Sequence, residues 1–362
     1  MPIQQVGLQT SPHIRYTETV EVIMRHVVYA LVPICLFAFF QFGISALAII
    51  VVTTAACVLT EQFFCWMSEK PSTVDDYSAV ITGILLALTL PPGFPLWMAV
   101  VAGFVAIALG KVLFGGIGYN VFNPALVGRA FAQAAFPSAI TTWTPAFANG
   151  RFTEFIPSSI ALPFTTPAAV DQWSKQVVDS FSGATPLAMH KFDHVTTSTF
   201  DLFVGNTAGS AGETSALLIL LCGGYLVLRN MLDWRIPVSI FVGTIITSGL
   251  FFWINPERFP SPIFMLFAGG MMLGAVFMAT DMVGSPVTPI GTWIYGLLIG
   301  FFTVIIRLFG GLPEGIMYAI LLGNTITPLI EWVTQPKIYG DPRKFKQKDD
   351  KKADSPQEGK SS

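Results

Sequence analysis

The stretch ISALAIIVVTTAACVLTEQFF, from Ile44 to Phe64, runs the thickness of a bilayer with a single charged residue, Glu61. A helix needs about 20 apolar residues to cross hydrocarbon, and nine further stretches approach that length: 22–42, 78–92, 95–114, 121–137, 214–229, 235–254, 262–280, 289–309 and 314–333. The whole chain follows the same bias. Of 362 residues, 52% are hydrophobic and 12% charged, about half the charged share of a soluble domain. The expected class is an all-α, polytopic membrane protein with about ten transmembrane helices. A net charge of -2 offers no basic field for nucleic acid. Cys35, Cys57, Cys65 and Cys222 lie in or beside apolar runs without a C-x-x-C pair, so they read as small apolar filler rather than disulfide or zinc ligands.

Lys and Arg near span ends set orientation. Arg229 and Arg235 flank one short turn, and Lys337, Arg343, Lys344, Lys346, Lys348, Lys351 and Lys352 crowd the C-terminal tail. Both regions are expected in the cytoplasm. The long connection carries Arg151, Lys175 and Lys191 against Glu154, Asp171, Asp179, Asp193 and Asp201, and is expected outside. The chain then divides into a cytoplasmic segment 1–20, a first five-helix repeat 21–137, an exterior connection 138–212, a second repeat 213–338 and a disordered cytoplasmic tail 339–362. The N-terminal segment lacks the apolar core and cleavage site of a signal peptide.

The halves echo one another. Gly83-Ile-Leu-Leu-Ala-Leu-Thr89 matches Gly274-Ala-Val-Phe-Met-Ala-Thr280 in its Gly-to-Thr spacing. Leu113-Phe-Gly-Gly116 after Lys111 recurs as Leu308-Phe-Gly-Gly311 after Arg307, and Asn120-Val-Phe-Asn-Pro124 recurs as Asn324-Thr-Ile-Thr-Pro328. An odd number of spans per half inverts the second copy, giving a five-plus-five inverted repeat. Paired Gly and Pro interruptions break helices at membrane depth and free backbone groups to hold a ligand or ion. The segments 115–124 and 310–328 are the expected breaks, with Asn120 and Asn123 as candidate cofactor contacts; Asn120 and Asn324 also suit plain capping of half-helices. Asn123-Pro124-Ala125 is not half of an aquaporin pair, because its counterpart reads Thr327-Pro328-Leu329.

Arg25, Glu61, Lys111, Arg129, Asp281, Arg307 and Glu331 are the charges in or near spans that need a reason. Snorkelling to the interface accounts for Arg25, Lys111 and Arg307, whereas Asp281 suits either a cation pathway or an ordinary loop. The four histidines, His13, His26, His190 and His194, read as incidental, since no Glu follows His190 as a zinc-protease helix requires. No catalytic or metal-ligating set is expected.

Ser182-Gly183-Ala184-Thr185-Pro186, preceded by Asp179, reads alone as a turn. Together with Leu90-Pro91-Pro92, Lys111-Val-Leu-Phe-Gly-Gly116, Gly118-Tyr-Asn-Val-Phe-Asn-Pro-Ala125, Thr142-Trp-Thr-Pro145, Arg307-Leu-Phe-Gly-Gly311 and Pro336-Lys-Ile-Tyr-Gly340, it resembles the membrane flavoprotein subunits RnfD, of the Rnf electron-transport complex, and NqrB, of the sodium-pumping NADH:quinone oxidoreductase. The resemblance runs from about residue 20 to Gly340. About twenty residues precede the first span, which leans toward RnfD, because NqrB carries a longer extension.

The resemblance implies FMN joined through its phosphate to the Thr185 hydroxyl, within a motif of Asp179, Ser182, Gly183, Ala184 and Thr185. Small residues there let a flavin transferase approach, and Pro186 limits flexibility. It further implies a second, non-covalent flavin, riboflavin, in the helical core. The implied role is electron relay in an Rnf-type complex that couples ferredoxin/NAD redox chemistry to Na+ or H+ movement. The implied partners are RnfA, RnfB, RnfC, RnfE and RnfG, in a bacterial inner membrane with both termini cytoplasmic. An NqrB-like subunit and a cofactor-free secondary transporter are the alternatives.

Overall fold

The computed structural model describes residues 19–163, 165, 185–193, 197–213, 215–311 and 313–336. Among these, the elements are helices and turns. The principal helices, in chain order, are α1 (Val20–Phe42), α2 (Ile44–Met67), α3 (Ser78–Thr89), α4 (Leu96–Gly110), α5 (Pro124–Ala135), α6 (Ala216–Leu228), α7 (Arg235–Ile254), α8 (Pro262–Phe267), α9 (Pro289–Phe309) and α10 (Ile316–Thr334). Six of them, α1, α2, α4, α7, α9 and α10, are long and apolar enough to cross a bilayer, α4 being counted with the turn that follows it to Phe114. The other four are shorter than their apolar stretches suggested.

The shortening has local causes. Proline cannot donate a backbone hydrogen bond, so α3 stops at Thr89, ahead of Pro91-Pro92, instead of running to 92. Its counterpart α8 breaks at Ala268–Gly270, where Gly269 takes φ +64. The chain then resumes as Met271–Leu273 and a π-helical turn, Gly274–Met278. Free carbonyls at such breaks need donors. At α3 the connection before α6 supplies them, with Gly212 N–H donating to Leu88 O at 2.8 Å and Ala211 N–H to Leu90 O at 3.1 Å. At α8 the Arg307 guanidinium donates to Met265 O at 2.5 Å and Ala268 O at 2.9 Å.

Packing repeats between the halves. Helix α2 lies on α3 and α4, and α4 on α5; likewise α7 lies on α8 and α9, and α9 on α10. Glycine permits close approach of these axes: a Cβ at Gly83 would stand 2.5 Å from Thr54 Cα, and one at Gly300 would stand 2.5 Å from Ile240 O. Asn120, in the turn after α4, reaches Asp281, eight residues before α9 begins. Helix α4 therefore ends on the face where α9 starts, as inversion requires. Leu31, Ile49, Leu86, Leu88, Phe94, Ile107, Ile219 and Tyr295 fill the core at 0–1% exposure, while Leu228 and Trp253 stand more than 80% exposed. A large apolar periphery is what lipid contact calls for and water would not tolerate.

The described part of the long connection folds over the α1–α2 turn. Ile44 N–H donates to Arg151 O at 3.0 Å and Phe147 N–H to Gln41 O at 2.9 Å. The Arg151 guanidinium lies 4.6 Å from the Phe152 ring centre. Ser158 Oγ donates to Gly93 O at 2.6 Å, which fastens the connection to the broken end of α3.

Candidate functional site

Two polar sites sit at opposite ends of the bundle. The first is a cleft whose polar lining includes Ser78, Thr82, Lys111, Asn120, Asn123 and Asp281. The sequence forms it in three steps. The turn after α4 uses Gly115, Gly116 and Gly118 at positive φ to swing back toward the bundle. Asn123 then starts α5, accepting from Ala125 N–H at 3.0 Å and donating its amide to Met278 O at 3.1 Å. Asn120 donates to Asp281 at 3.4 Å and to Phe122 O at 3.2 Å. Side chains from both repeats thus face one cleft.

Lys111 does not snorkel. Its residue is 4% exposed, and its ammonium meets Glu61 at 2.6 Å, Ser78 Oγ at 2.5 Å and Asp76 at 3.8 Å. Thr73 donates a short hydrogen bond to the same Glu61 carboxylate. The sequence treated Lys111 and Arg307 as interfacial because each closes a span; in the fold each meets an acceptor at the end of a neighbouring helix, and burial with a partner replaces exposure. Arg25 keeps the expected exposed position, 5.5 Å over Tyr77.

The paired motif differs in another way. Asn123, not Asn120, caps the first copy. The second copy is no break at all, because α10 runs through Pro328 unbroken. Thr327 Oγ donates to Gly323 O and Gly284 O there, and Asn324 pairs with the buried Tyr295 hydroxyl at 2.7 Å. Glu331 accepts from Val287 N–H at 3.0 Å.

The second site lies where Thr185 stands. Asp179, Ser182, Gly183 and Ala184 lie outside the described residues. Thr185 is 4% exposed, its hydroxyl accepting from Ala188 N–H at 3.3 Å as Pro186 opens a helical turn. Leu187 follows, seated against Gly269 so closely that a Cβ there would stand 2.6 Å from Leu187 Cδ1. Lys191 Nζ donates to Arg307 O at 2.8 Å and Gly310 O at 2.5 Å, at the end of α9. Thr185 and Pro186 face a small cavity lined also by Ser210, Glu213, Gly269 and Glu314. Behind it, Arg129 Nη2 donates to Glu314 at 2.8 Å.

Glu213 and Glu314 were missed by the sequence reading, which singled out neither. The available signal was a carboxylate within three residues of a span start. Burial and the charge of Glu314 push the Glu213 carboxyl up to about 8. Of the histidines, His26 pairs with the Tyr225 hydroxyl at 2.7 Å and His190 packs on Phe264; His13 and His194 lie outside the described residues.

These features define a polytopic, α-helical membrane protein built on two like halves, with polar sites at both ends. Over residues 7–340 the chain matches the NQR2, RnfD, RnfE family, and it belongs to that family. It is 40% identical over 339 residues to the D subunit of the proton-translocating ferredoxin:NAD(+) oxidoreductase complex of Clostridium ljungdahlii, covering 93% of this chain and 96% of that one. It is 41% identical to the D subunit of the Na(+)-translocating ferredoxin:NAD(+) oxidoreductase complex of Acetobacterium woodii, covering 92% and 95%. The D subunit of the ion-translocating oxidoreductase complex of Alcanivorax borkumensis is 35% identical, covering 91% and 96%.

Proposed function

We propose that this chain is the D subunit of an Rnf-type, ion-translocating ferredoxin:NAD oxidoreductase, and that it relays electrons through flavins held at its two polar sites. The observation that carries the reading is the match of about 40% identity along nearly the whole of the D subunits from two such complexes. Those two relatives are named for different ions, so the reading extends to Na+ or H+.

For the covalent group, FMN on Thr185, the donor set supplies support. Arg129 Nη1 and Arg307 Nε are buried N–H donors without a hydrogen-bond partner among the described residues, and both guanidinium groups act electrostatically on Glu213, which shares the cavity with Thr185. Such guanidinium donors suit a phosphodiester. A tethered flavin supplies reversible electron transfer without diffusing away. The chain's own part is to anchor the tethered segment through Leu187 against Gly269 and to balance its charge.

For the non-covalent flavin, the larger cleft offers amide and hydroxyl groups from Asn120, Asn123, Ser78 and Thr82 among apolar walls such as Ile81, Leu85 and Phe277. This donor set suits a flat heteroaromatic ring with a polyol chain. Its cation, Lys111, is already engaged by Glu61 and Asp76, and Asp281 adds negative charge. A phosphate would meet repulsion, which favours riboflavin over FMN. RnfA, RnfB, RnfC, RnfE and RnfG complete the reading as partners, with the flavin transferase during maturation and Thr185 on the periplasmic side of the inner membrane.

The test is expression with the flavin transferase. The band on a denaturing gel should fluoresce, and Thr185→Ala should abolish that signal; a dark wild-type band refutes the covalent flavin. Acid precipitation should release the second flavin from wild-type protein and markedly less from Asn123→Ala.

A further inference from the structure

Thr185 faces two carboxylates, an unusual setting for a residue read as carrying a phosphate. Ser210 and Glu213 come from the connection that closes α3, Gly269 from the break in α8, and Glu314 from the turn before α10. Arg129 on α5 and Arg307 on α9 stand behind them, each at most 3% exposed. Two guanidinium groups and two carboxylates sum to zero (+2 − 2 = 0). A phosphodiester on Thr185 adds one negative charge to this set, and an uncompensated charge beside largely buried groups is disfavoured.

The two carboxylates are not equivalent. Glu314 is held by Arg129 at 2.8 Å, whereas Glu213 has no ion pair within 4.0 Å among the described residues. The Arg307 Nη atoms are taken by Met265 O and Ala268 O. The Glu213 carboxylate instead rests on Gly270.

We propose that Glu213 binds a proton to compensate the charge of the phosphoflavin on Thr185, so that loading of Thr185 and protonation of Glu213 are linked. This rests on the reading of Thr185 as the flavin site. The proton comes from water and converts the carboxylate to the neutral acid, with no other change of charge. Linkage is reciprocal: the loaded site binds the Glu213 proton more tightly, and the protonated site seats the loaded segment more stably.

The groups that face Glu213 decide the balance. Glu314 and burial favour the neutral acid, while Arg129, Ser210 and Arg307 favour the carboxylate. A phosphodiester joins the first group. Glu213 also sits on the connection whose N–H groups close α3 and against the break in α8. The far ends of α3 and of the turn after α8 line the larger cleft through Ser78, Ile81, Phe277 and Asp281. A proton at Glu213 therefore acts on the shared end of the two broken helices that build the other site.

Infrared titration of the protonated-carboxyl stretching band tests this on full-length protein expressed with the transferase. Loaded wild-type protein should keep the Glu213 band to a pH about one unit above that of Thr185→Ala, the size expected for one charge roughly 10 Å away in a protein interior. Glu213→Gln should remove the band, and Glu314→Gln should keep it while lowering its midpoint. If Glu213→Gln does not accumulate, Glu213→Asp should move the band instead. Coincident midpoints in a sample whose gel band fluoresces overturn the proposal alone; a dark gel band overturns the Thr185 reading and the proposal with it. A band that survives both Glu213 variants unchanged also overturns it.

Discussion

Removing Lys111 should cost more stability than removing its partner Glu61. Both side chains are at most 5% exposed, 2.6 Å apart, with Asp76 3.8 Å from the same ammonium. At an effective dielectric constant near 20, the closer pair is worth about 6 kcal/mol and the Asp76 contact about 4. In Glu61→Gln the ammonium keeps Asp76 and the Ser78 hydroxyl, and the relieved desolvation of Glu61 offsets most of the lost attraction, so the net loss should be about 2 kcal/mol. In Lys111→Met the Glu61 and Asp76 carboxylates are left facing one another without a cation, and the loss should reach about 3–5 kcal/mol. The double variant removes the buried mismatch and should cost about 1–2 kcal/mol, less than Lys111→Met alone. Unfolding by SDS in mixed micelles measures all three. A double variant whose loss equals the sum of the singles, or a Glu61→Gln loss as large as that of Lys111→Met, would refute the reasoning.

Gly300→Val should push α9 from α7 and cost about 1–3 kcal/mol in the same assay, because Ile240 O and Thr244 N stand 2.5 and 2.7 Å from the new Cβ. Gly224→Ala, with no atom within 4 Å, should stay within about 0.5 kcal/mol. Glu213 sets a pH dependence. Its carboxyl is raised from 4.5 to about 8 in the fold, so between those values the native state binds more protons than the unfolded chain, and stability should fall as pH rises through that window. Glu213→Gln should flatten the slope, and an unchanged slope contradicts it. Thr185 is 4% exposed with its hydroxyl engaged, so folded, unloaded protein should accept flavin slowly from purified transferase. Lys191→Gln, which loosens the segment from the end of α9, should speed that transfer several-fold, and an equal rate counts against a holding role for Lys191.

Class and repeat were legible in the sequence because lipid acts on every residue alike. Apolar runs near bilayer length mark helices wherever they fall, and Gly-to-Thr, Lys/Arg-Gly-Gly and Asn-to-Pro spacings recur in order whatever packs on them. The Pro91-Pro92 stop and the Ala268–Gly270 break follow from local backbone chemistry. Thr185 was singled out by the motif before it, and Asn120 and Asn123 by repetition; the fold sets Thr185 in the wall of one cavity and the two asparagines in the wall of the other. What no spacing could supply was the partner of each buried charge. Lys111 and Arg307 read as interfacial ends because their acceptors, Glu61 and the carbonyls of Met265 and Ala268, lie about 40 to 50 residues away. Asn324-to-Pro328 mirrors Asn120-to-Pro124 in letters, yet one lies within a helix and the other starts one, since Tyr295 and Gly284 supply contacts that the first copy lacks. Glu213 and Glu314 became a pair facing Thr185 only when four separate connections converged on one cavity. Sequence fixes what each segment can bury; tertiary packing decides which charges must then answer one another.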